Sequence, residues 1–262
     1  MQNSDMIRLS FFLAVLFLCF VWEWCAPRKK LTQNKVTRWV NNLGLVGLNS
    51  FILALLMPLM AIEAALWAQS AHIGLFNWMT APLWLSVLIG ILILDCAIYT
   101  QHVVFHRVPW LWRLHRMHHA DQDIDVTTGA RFHPIEILLS MWIKIAIVIS
   151  FGLSPITVLV FEIILNASAM FNHSNAKLPL RIDKWMRIIV VTPDMHRVHH
   201  SVIVKETHSN FGFFLSIWDR LFSTYRAQPQ LGHYDVEIGL PLFRQPREQW
   251  LDKMLSQPFR KQ

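Results

Sequence analysis

The chain has 262 residues, 54% of them hydrophobic and only 16% charged, with 12 Trp and 17 Phe. That balance is too apolar for a soluble domain and describes an integral membrane protein. The formal charge of +7 lies beside apolar runs and forms no aromatic-interleaved stripe, which excludes nucleic acid and points to anionic lipid headgroups. Cys19, Cys25 and Cys96 make no CxxC pair, which excludes a zinc ribbon or an iron–sulfur cluster.

The first apolar run, Ile7 to Cys25, is followed by the basic cluster Arg28, Lys29, Lys30. This is the reverse of a signal peptide's charge order, so the run reads as a retained anchor helix. A second run covers Leu43 to Trp67 and a third Pro82 to Thr100, each near the roughly 20 residues of a spanning helix. The loop after the first run carries Arg28, Lys29, Lys30, Lys35 and Arg38, whereas 68–81 carries no Lys or Arg. The positive-inside rule makes the former cytoplasmic. The third helix then returns the chain to the cytoplasm near His102, in agreement with Arg107, Arg113, Arg116 and Arg131.

Two shorter runs, Ile135 to Phe151 and Pro155 to Phe171, flank the breakers Gly152, Ser154 and Pro155 and are expected to form a tilted or re-entrant hairpin. Lys144 and Glu162 fall at similar depth either side of that turn and are expected to pair, which would make both charges tolerable in lipid. In the alternative, Lys144 snorkels and Glu162 faces the metal cavity. After His173 the chain becomes more polar and basic and reads as a cap of amphipathic helices. The expected fold is therefore an all-α integral membrane protein, with four to five transmembrane or re-entrant helices beneath a cytoplasmic histidine-rich helical cap. Its divisions are N-terminal membrane helices (1–80), a catalytic domain (81–230) and a C-terminal cytoplasmic tail (231–262).

Eight histidines fall in three tight boxes, His102/His106, His115/His118/His119 and His196/His199/His200. Asp95, Tyr99, His102 and His106 are spaced four, three and four apart, so on one helix they share a face that runs out of the membrane. The other boxes, HRMHH and HRVHH, have an i, i+3, i+4 pattern with which one helical turn aims three imidazoles together. Eight candidates exceed what one tetrahedral zinc can use, so two metal ions are the economical inference. HExxH, with its glutamate base, is missing from every box, which weighs against hydrolysis. Imidazole suits iron and zinc alike, and spacing does not choose between them. A membrane zinc hydrolase and a non-catalytic lipid-binding protein stand as alternatives to an oxygenase.

The order HxxxH, HxxHH, HxxHH, with Asn210-Phe211-Gly212 and Trp218 to Tyr225 following, resembles the fatty acid hydroxylase superfamily, which includes the sterol desaturases. The likeness runs from about Asp95 to Tyr225. It implies a membrane di-iron oxygenase that uses dioxygen and external electrons to hydroxylate or desaturate a lipid substrate, with zinc a possible occupant on isolation. Sterol, fatty acyl and related lipids all suit it, and carotenoid hydroxylation is the nearest rival. The implied ligands are His102, His106, His115, His118, His119, His196, His199 and His200, together with His173 in Asn172-His173-Ser174. Relatives can carry a further histidine where this chain has Ala169, so water held by Asn172 or Asn166 is expected to fill one position. Residues expected to orient imidazoles or substrate are Asp95, Tyr99, His133, Glu136, Asp194, Asn210 and Asp219. For His133 a helix start, and for Asp194 and Asp219 loop or capping roles, are the alternatives. His72, His208 and His233 stand outside the boxes and are not expected to ligate. With no Rossmann glycine fingerprint in the chain, electrons are expected from a ferredoxin or cytochrome with its reductase. The resemblance places such an enzyme in a bacterial inner membrane with its metals on the cytoplasmic side.

Overall fold

Backbone polar groups inside a bilayer must be satisfied within the chain, and an apolar run does this by coiling into a helix. The computed structural model describes residues 3–261, and extended pairing among them is limited to isolated bridges such as Pro27 with Ala176. Its long helices are α1 (Ser4–Cys25), α2 (Lys35–Leu56), α3 (Ala61–Ser70), α4 (Leu83–Arg107), α5 (Pro109–His119), α6 (Pro134–Phe151) and α7 (Pro155–His173). The shorter α8 (Leu180–Met186) and α9 (Pro193–His199) follow. Five stretches are long and apolar enough to cross a membrane: α1, α2 with α3, α4, α6 and α7.

The expectation of one uninterrupted span from Leu43 to Trp67 is corrected. The helix starts at Lys35, breaks over Met57–Met60 and resumes as α3. Pro58 supplies the break, because it lacks an N–H and keeps the preceding residue out of the α region. The early start was hidden by Arg38 and Asn42, polar residues that are buried on α2, as is Asn49 further along it. Each has a partner: Arg38 binds Asp121, Asn42 donates to Thr127 Oγ1 and Asn49 to the Phe132 carbonyl.

The spans alternate in direction, so five helix ends meet at one end of the bundle. Glu23 near the end of α1 accepts from the backbone N–H of Val126 and Asn175, and Arg38 at the start of α2 reaches Asp121. The ends of α4 and α7 and the start of α6 bring His106, His173 and Glu136 to the same place. At the opposite end α6 stops at Gly152, whose φ of +64° gives the left-handed cap that closes the turn into α7. The loop after α3 lies against that turn so closely that a Cβ at Gly74 would sit 2.2 Å from the Gly152 nitrogen.

The alanines Ala61, Ala64 and Ala65 of α3 pack with Leu94, Val148, Val158 and Phe161 in the main apolar core. Small residues there let helix backbones approach, which carries packing where lipid removes the hydrophobic drive between helices. α8 buries Asp183 and exposes Leu180, Ile182 and Trp185, as expected of an interfacial helix. The last segment is woven into the cap: Arg113 and Arg116 donate to the carbonyls of Pro258 and Gln257. Lys144 and Glu162 pair at 2.9 Å as the sequence predicts, and Arg8 of α1 joins the same carboxylate from its other side.

Candidate metal centre

Four helix segments deliver the nine candidate ligands. His102 and His106 lie on the last turns of α4, and His173 ends α7. Pro109 opens α5 at its first position, where a missing N–H costs nothing, and so turns the chain at once into the HRMHH box. α9 opens the same way at Pro193, with the Thr192 hydroxyl accepting from the Met195 N–H at 3.3 Å, and carries HRVHH. All nine imidazoles are buried.

They form two sets. His102, His106, His115, His119 and His199 make one and His118, His173, His196 and His200 the other, with ligand atoms in each set within 4.8 Å of one another. The two HRxHH helices contribute in exchanged fashion. His115 and His119 of α5, spaced i and i+4, join the first set and His118 the second, whereas His196 and His200 of α9 join the second set and His199 the first. The sets touch, with the rings of His119 and His200 stacked at 4.5 Å between centroids.

The nitrogens fit metal ligation. His173 Nε2 lies 3.1, 3.0 and 3.1 Å from the Nε2 atoms of His118, His196 and His200, and His102 Nε2 lies 3.1 Å from that of His115. Two imidazole nitrogens at right angles about a shared ion, each at about 2.1 Å, would stand about 3.0 Å apart. The tautomers follow from acceptor-only partners. Nδ1 of His102 donates to the Phe211 carbonyl at 2.8 Å, that of His173 to Ala169 at 2.6 Å, and that of His199 to Ser209 at 2.7 Å. His118 Nδ1 donates to Arg131 at 3.2 Å, and His115 Nδ1 to Glu136 Oε1 at 2.7 Å. In each of the five rings Nε2 is thereby left as a lone pair aimed into the centre. His106 and His119 have no hydrogen-bond partner on either nitrogen, although both rings are buried. Buried polar atoms without partners are costly, and a bound cation would satisfy them. Burial, reinforced by the surrounding imidazoles, holds the proton affinities of His118, His119, His196, His199 and His200 well below the usual histidine value. The rings therefore stay neutral, the form a metal requires.

Of the residues expected behind the ligands, Glu136 alone hydrogen-bonds a ligand imidazole with its side chain. Asp219 and Tyr99 act through the backbone. Asp219 accepts from the N–H groups of Phe211 and Gly212 at 2.7 and 2.9 Å and from Thr224 Oγ1 at 2.7 Å, and Tyr99 meets that hydroxyl at 2.8 Å. The loop so fixed presents the Phe211 carbonyl to His102. Asp95 ties α4 to the following segment through Leu215 N and Trp218 Nε1. Asn210, at φ +54°, bridges the Met195 carbonyl and the Arg226 backbone. Asp194 binds Arg28 and Arg197 instead of a ligand ring. His133 caps α6, its Nδ1 accepting from Ile135 N at 3.2 Å, so the helix-start alternative describes it. Asn172 donates to the Phe213 carbonyl and Asn166 to that of Glu162.

Sequence reasoning missed the buried ionic cluster behind the second box. Arg38 grips Asp121 through Nε and a terminal nitrogen at 2.8 Å each and also binds Asp125. Burial would raise the Asp121 carboxyl, but Arg38 and Arg131 hold it down at about 2. Arg131 in turn donates to Met117 O at 3.0 Å and Gln249 Oε1 at 2.7 Å. The signal was present as three aspartates spaced by two after HH, with a lone arginine at the start of an apolar helix.

A cavity of about 470 Å³ runs among α1, α2, α4, α6 and α7, from His102, His115 and Glu136 to Arg8, Lys144 and Glu162. Glu162 thus faces this cavity while paired with Lys144, which lines the same space and does not snorkel away from it. Ala169 lines the same space, so the position where relatives can have another histidine borders the cavity.

Fold and site together define a helical membrane protein with a buried, nitrogen-rich centre able to hold metal ions. Residues 87–224, just over half of the chain, match the fatty acid hydroxylase family model, and the chain belongs to that family. It is 29% identical over 161 residues to ornithine lipid hydroxylase OlsE of Rhizobium tropici, covering 60% of this chain and 46% of that protein. Identity to cholesterol 25-hydroxylase of Rattus norvegicus is 26% over 146 residues, covering 55% and 47%. Identity to alkylglycerol monooxygenase of Homo sapiens is 28% over 178 residues, covering 64% and 37%. The chain thus spans less than half the length of these curated relatives. No solved structure matches it.

Proposed function

We propose that the chain is a membrane-bound di-iron oxygenase that hydroxylates a C–H bond of a lipid. The observation that carries this reading is the division of nine buried histidines into sets of five and four. His102, His106, His115, His119 and His199 would hold one iron and His118, His173, His196 and His200 the other. Two iron ions held there would supply reductive activation of dioxygen and oxidation of an unactivated C–H bond. The smaller set borders Ala169 through the His173 Nδ1 contact to its carbonyl, and a water would complete that set in place of a tenth histidine. The apolar walls of the cavity orient a lipid chain and exclude bulk water, and the carbonyls and Glu136 behind the imidazoles keep each lone pair aimed inward. Hydroxylation is preferred to desaturation because the relatives described above are named hydroxylases or monooxygenases.

The histidine end of the bundle faces the cytoplasm of a bacterial inner membrane. Arg28, Lys29, Lys30, Arg107 and Arg113 lie in loops or helix ends on that side, and residues 68–81 at the other carry no Lys or Arg. Electrons arrive from a separate ferredoxin or cytochrome with its reductase. Lipid mass spectra of cells expressing the wild type and His199→Ala test the reading. The wild type yields a lipid with one added oxygen that the variant lacks, and identical spectra in every lipid class would overturn it.

A further inference from the structure

The trio Arg8, Lys144 and Glu162 is more than a membrane-tolerant ion pair. Lys144 with Glu162 would already be neutral, so Arg8 adds an excess positive charge among apolar helices. Among the described residues, the only other acid on Arg8 is Asp5, whose side chain is 84% exposed and therefore offsets little. An ammonium has three donors and a guanidinium five, and the contacts with Glu162 and Asp5 use one of the first and two of the second. Both cations line the cavity that ends at His102, His115 and Glu136. On α6 the cavity face carries Glu136, Ser140 and Lys144 at four-residue spacing. Lys144 stands about 12 Å along the helix axis from Glu136, and Glu162 about 16 Å from His173.

We propose that this trio is a binding site for the anionic end of a single-chain lipid, and that it sets which carbon reaches the histidine centre. The inference rests on the oxygenase reading for its consequence but not for its binding. An all-trans chain advances roughly 1.25 Å per carbon, so the carbon presented to the histidines lies about ten to thirteen positions from the head. The anionic group takes the free donors of Lys144 and Arg8 while Glu162 keeps both cations in place. Its recognition is by charge and hydrogen-bond acceptance, which a carboxylate and a phosphate monoester share.

The test uses the full metal-loaded chain in nanodiscs of zwitterionic lipid, titrated with tetradecanoate, tetradecyl phosphate and tetradecanol. The wild type binds the two anions roughly tenfold or more tightly than the alcohol, and comparison of the two anions shows which head the site prefers. Lys144→Met and Arg8→Met each remove most of that preference, leave alcohol binding and iron content unchanged, and Lys144→Arg retains it. Arg8 is partly exposed, so its variant serves if Lys144→Met fails to insert. Equal binding of anion and alcohol by the wild type, or full preference in both Met variants, overturns the proposal. Binding needs neither oxygen nor electrons, so its failure leaves the oxygenase reading standing, and absence of oxidised lipid in cells leaves the binding result standing.

Discussion

Replacing Glu136 with Ala should loosen one metal ion far more than the other. The carboxylate accepts from His115 Nδ1 at 2.7 Å, and the two side chains are 6% and 1% exposed, so water does not substitute for the bond. A hydrogen bond to a charged group contributes about 1.5–3 kcal/mol, which at about 1.4 kcal/mol per decade is roughly 10- to 150-fold in affinity. That range overlaps the 10–100-fold typical of outer-sphere partners. His115 belongs to the five-histidine set, so that ion should leave first, while the set around His173 keeps its carbonyl-held rings. The assay is a chelator titration of purified protein with metal counted at each step. Glu136→Ala should release one equivalent at a correspondingly lower chelator concentration, and Glu136→Asp should fall between it and the wild type. Release of both equivalents at the wild-type concentration would refute the assignment of His115 and the role of its carboxylate.

Acidification should destabilise the metal-free protein. His118, His119, His196, His199 and His200 are held neutral when folded, whereas unfolded histidines protonate near about 6.5, so their stabilising share is full above that pH and falls as pH drops below it. Thermal unfolding in detergent should show a flat Tm above about pH 7 and a decline below, and a Tm that rises on acidification would contradict this. Arg38→Met should cost about 3–5 kcal/mol by stranding Asp121 and Asp125, and Arg38→Lys should not restore the loss because an ammonium cannot reproduce the two-nitrogen grip on Asp121; wild-type stability of either variant in a denaturant titration would show that the cluster is dispensable. Gly129→Ala would place a Cβ 2.6 Å from the Ala169 carbonyl, the acceptor of His173, so Tm should fall by an amount equivalent to about 1–3 kcal/mol and metal should be held less tightly, whereas an unchanged chelator curve would mean the loop gives way without moving that carbonyl.

The histidines were legible because ligation restricts residue type and helix geometry restricts spacing: an i, i+4 pair can share one ion only if it lies on one face. Three spans and the hairpin were legible as apolar runs, and Lys144 with Glu162 as charges at matching depth. The start of α2 was not, since Arg38 and Asn42 read as solvent-facing until Asp121 and Thr127 are brought against them by distant parts of the chain. Arg8 escaped notice for the same reason, as nothing local links it to Glu162. How the nine ligands divide between two sets was equally hidden, because the exchange between α5 and α9 depends on how the helices face each other.

Four of the five imidazoles whose Nδ1 is anchored donate to main-chain carbonyls, those of Phe211, Ala169, Ser209 and Arg131. Every residue type carries such an oxygen, so the aim of these ligands belongs to the path of the chain and not to the identity of the residue beneath. A saturation mutagenesis map should accordingly show sharp intolerance at the histidines and at Glu136, while Phe211, Ala169 and Ser209 accept side chains that leave the backbone in place; Arg131 is the exception, because its own side chain bonds Met117 O and Gln249 Oε1. The sequence around these ligands is thus free to drift wherever the chain keeps its path.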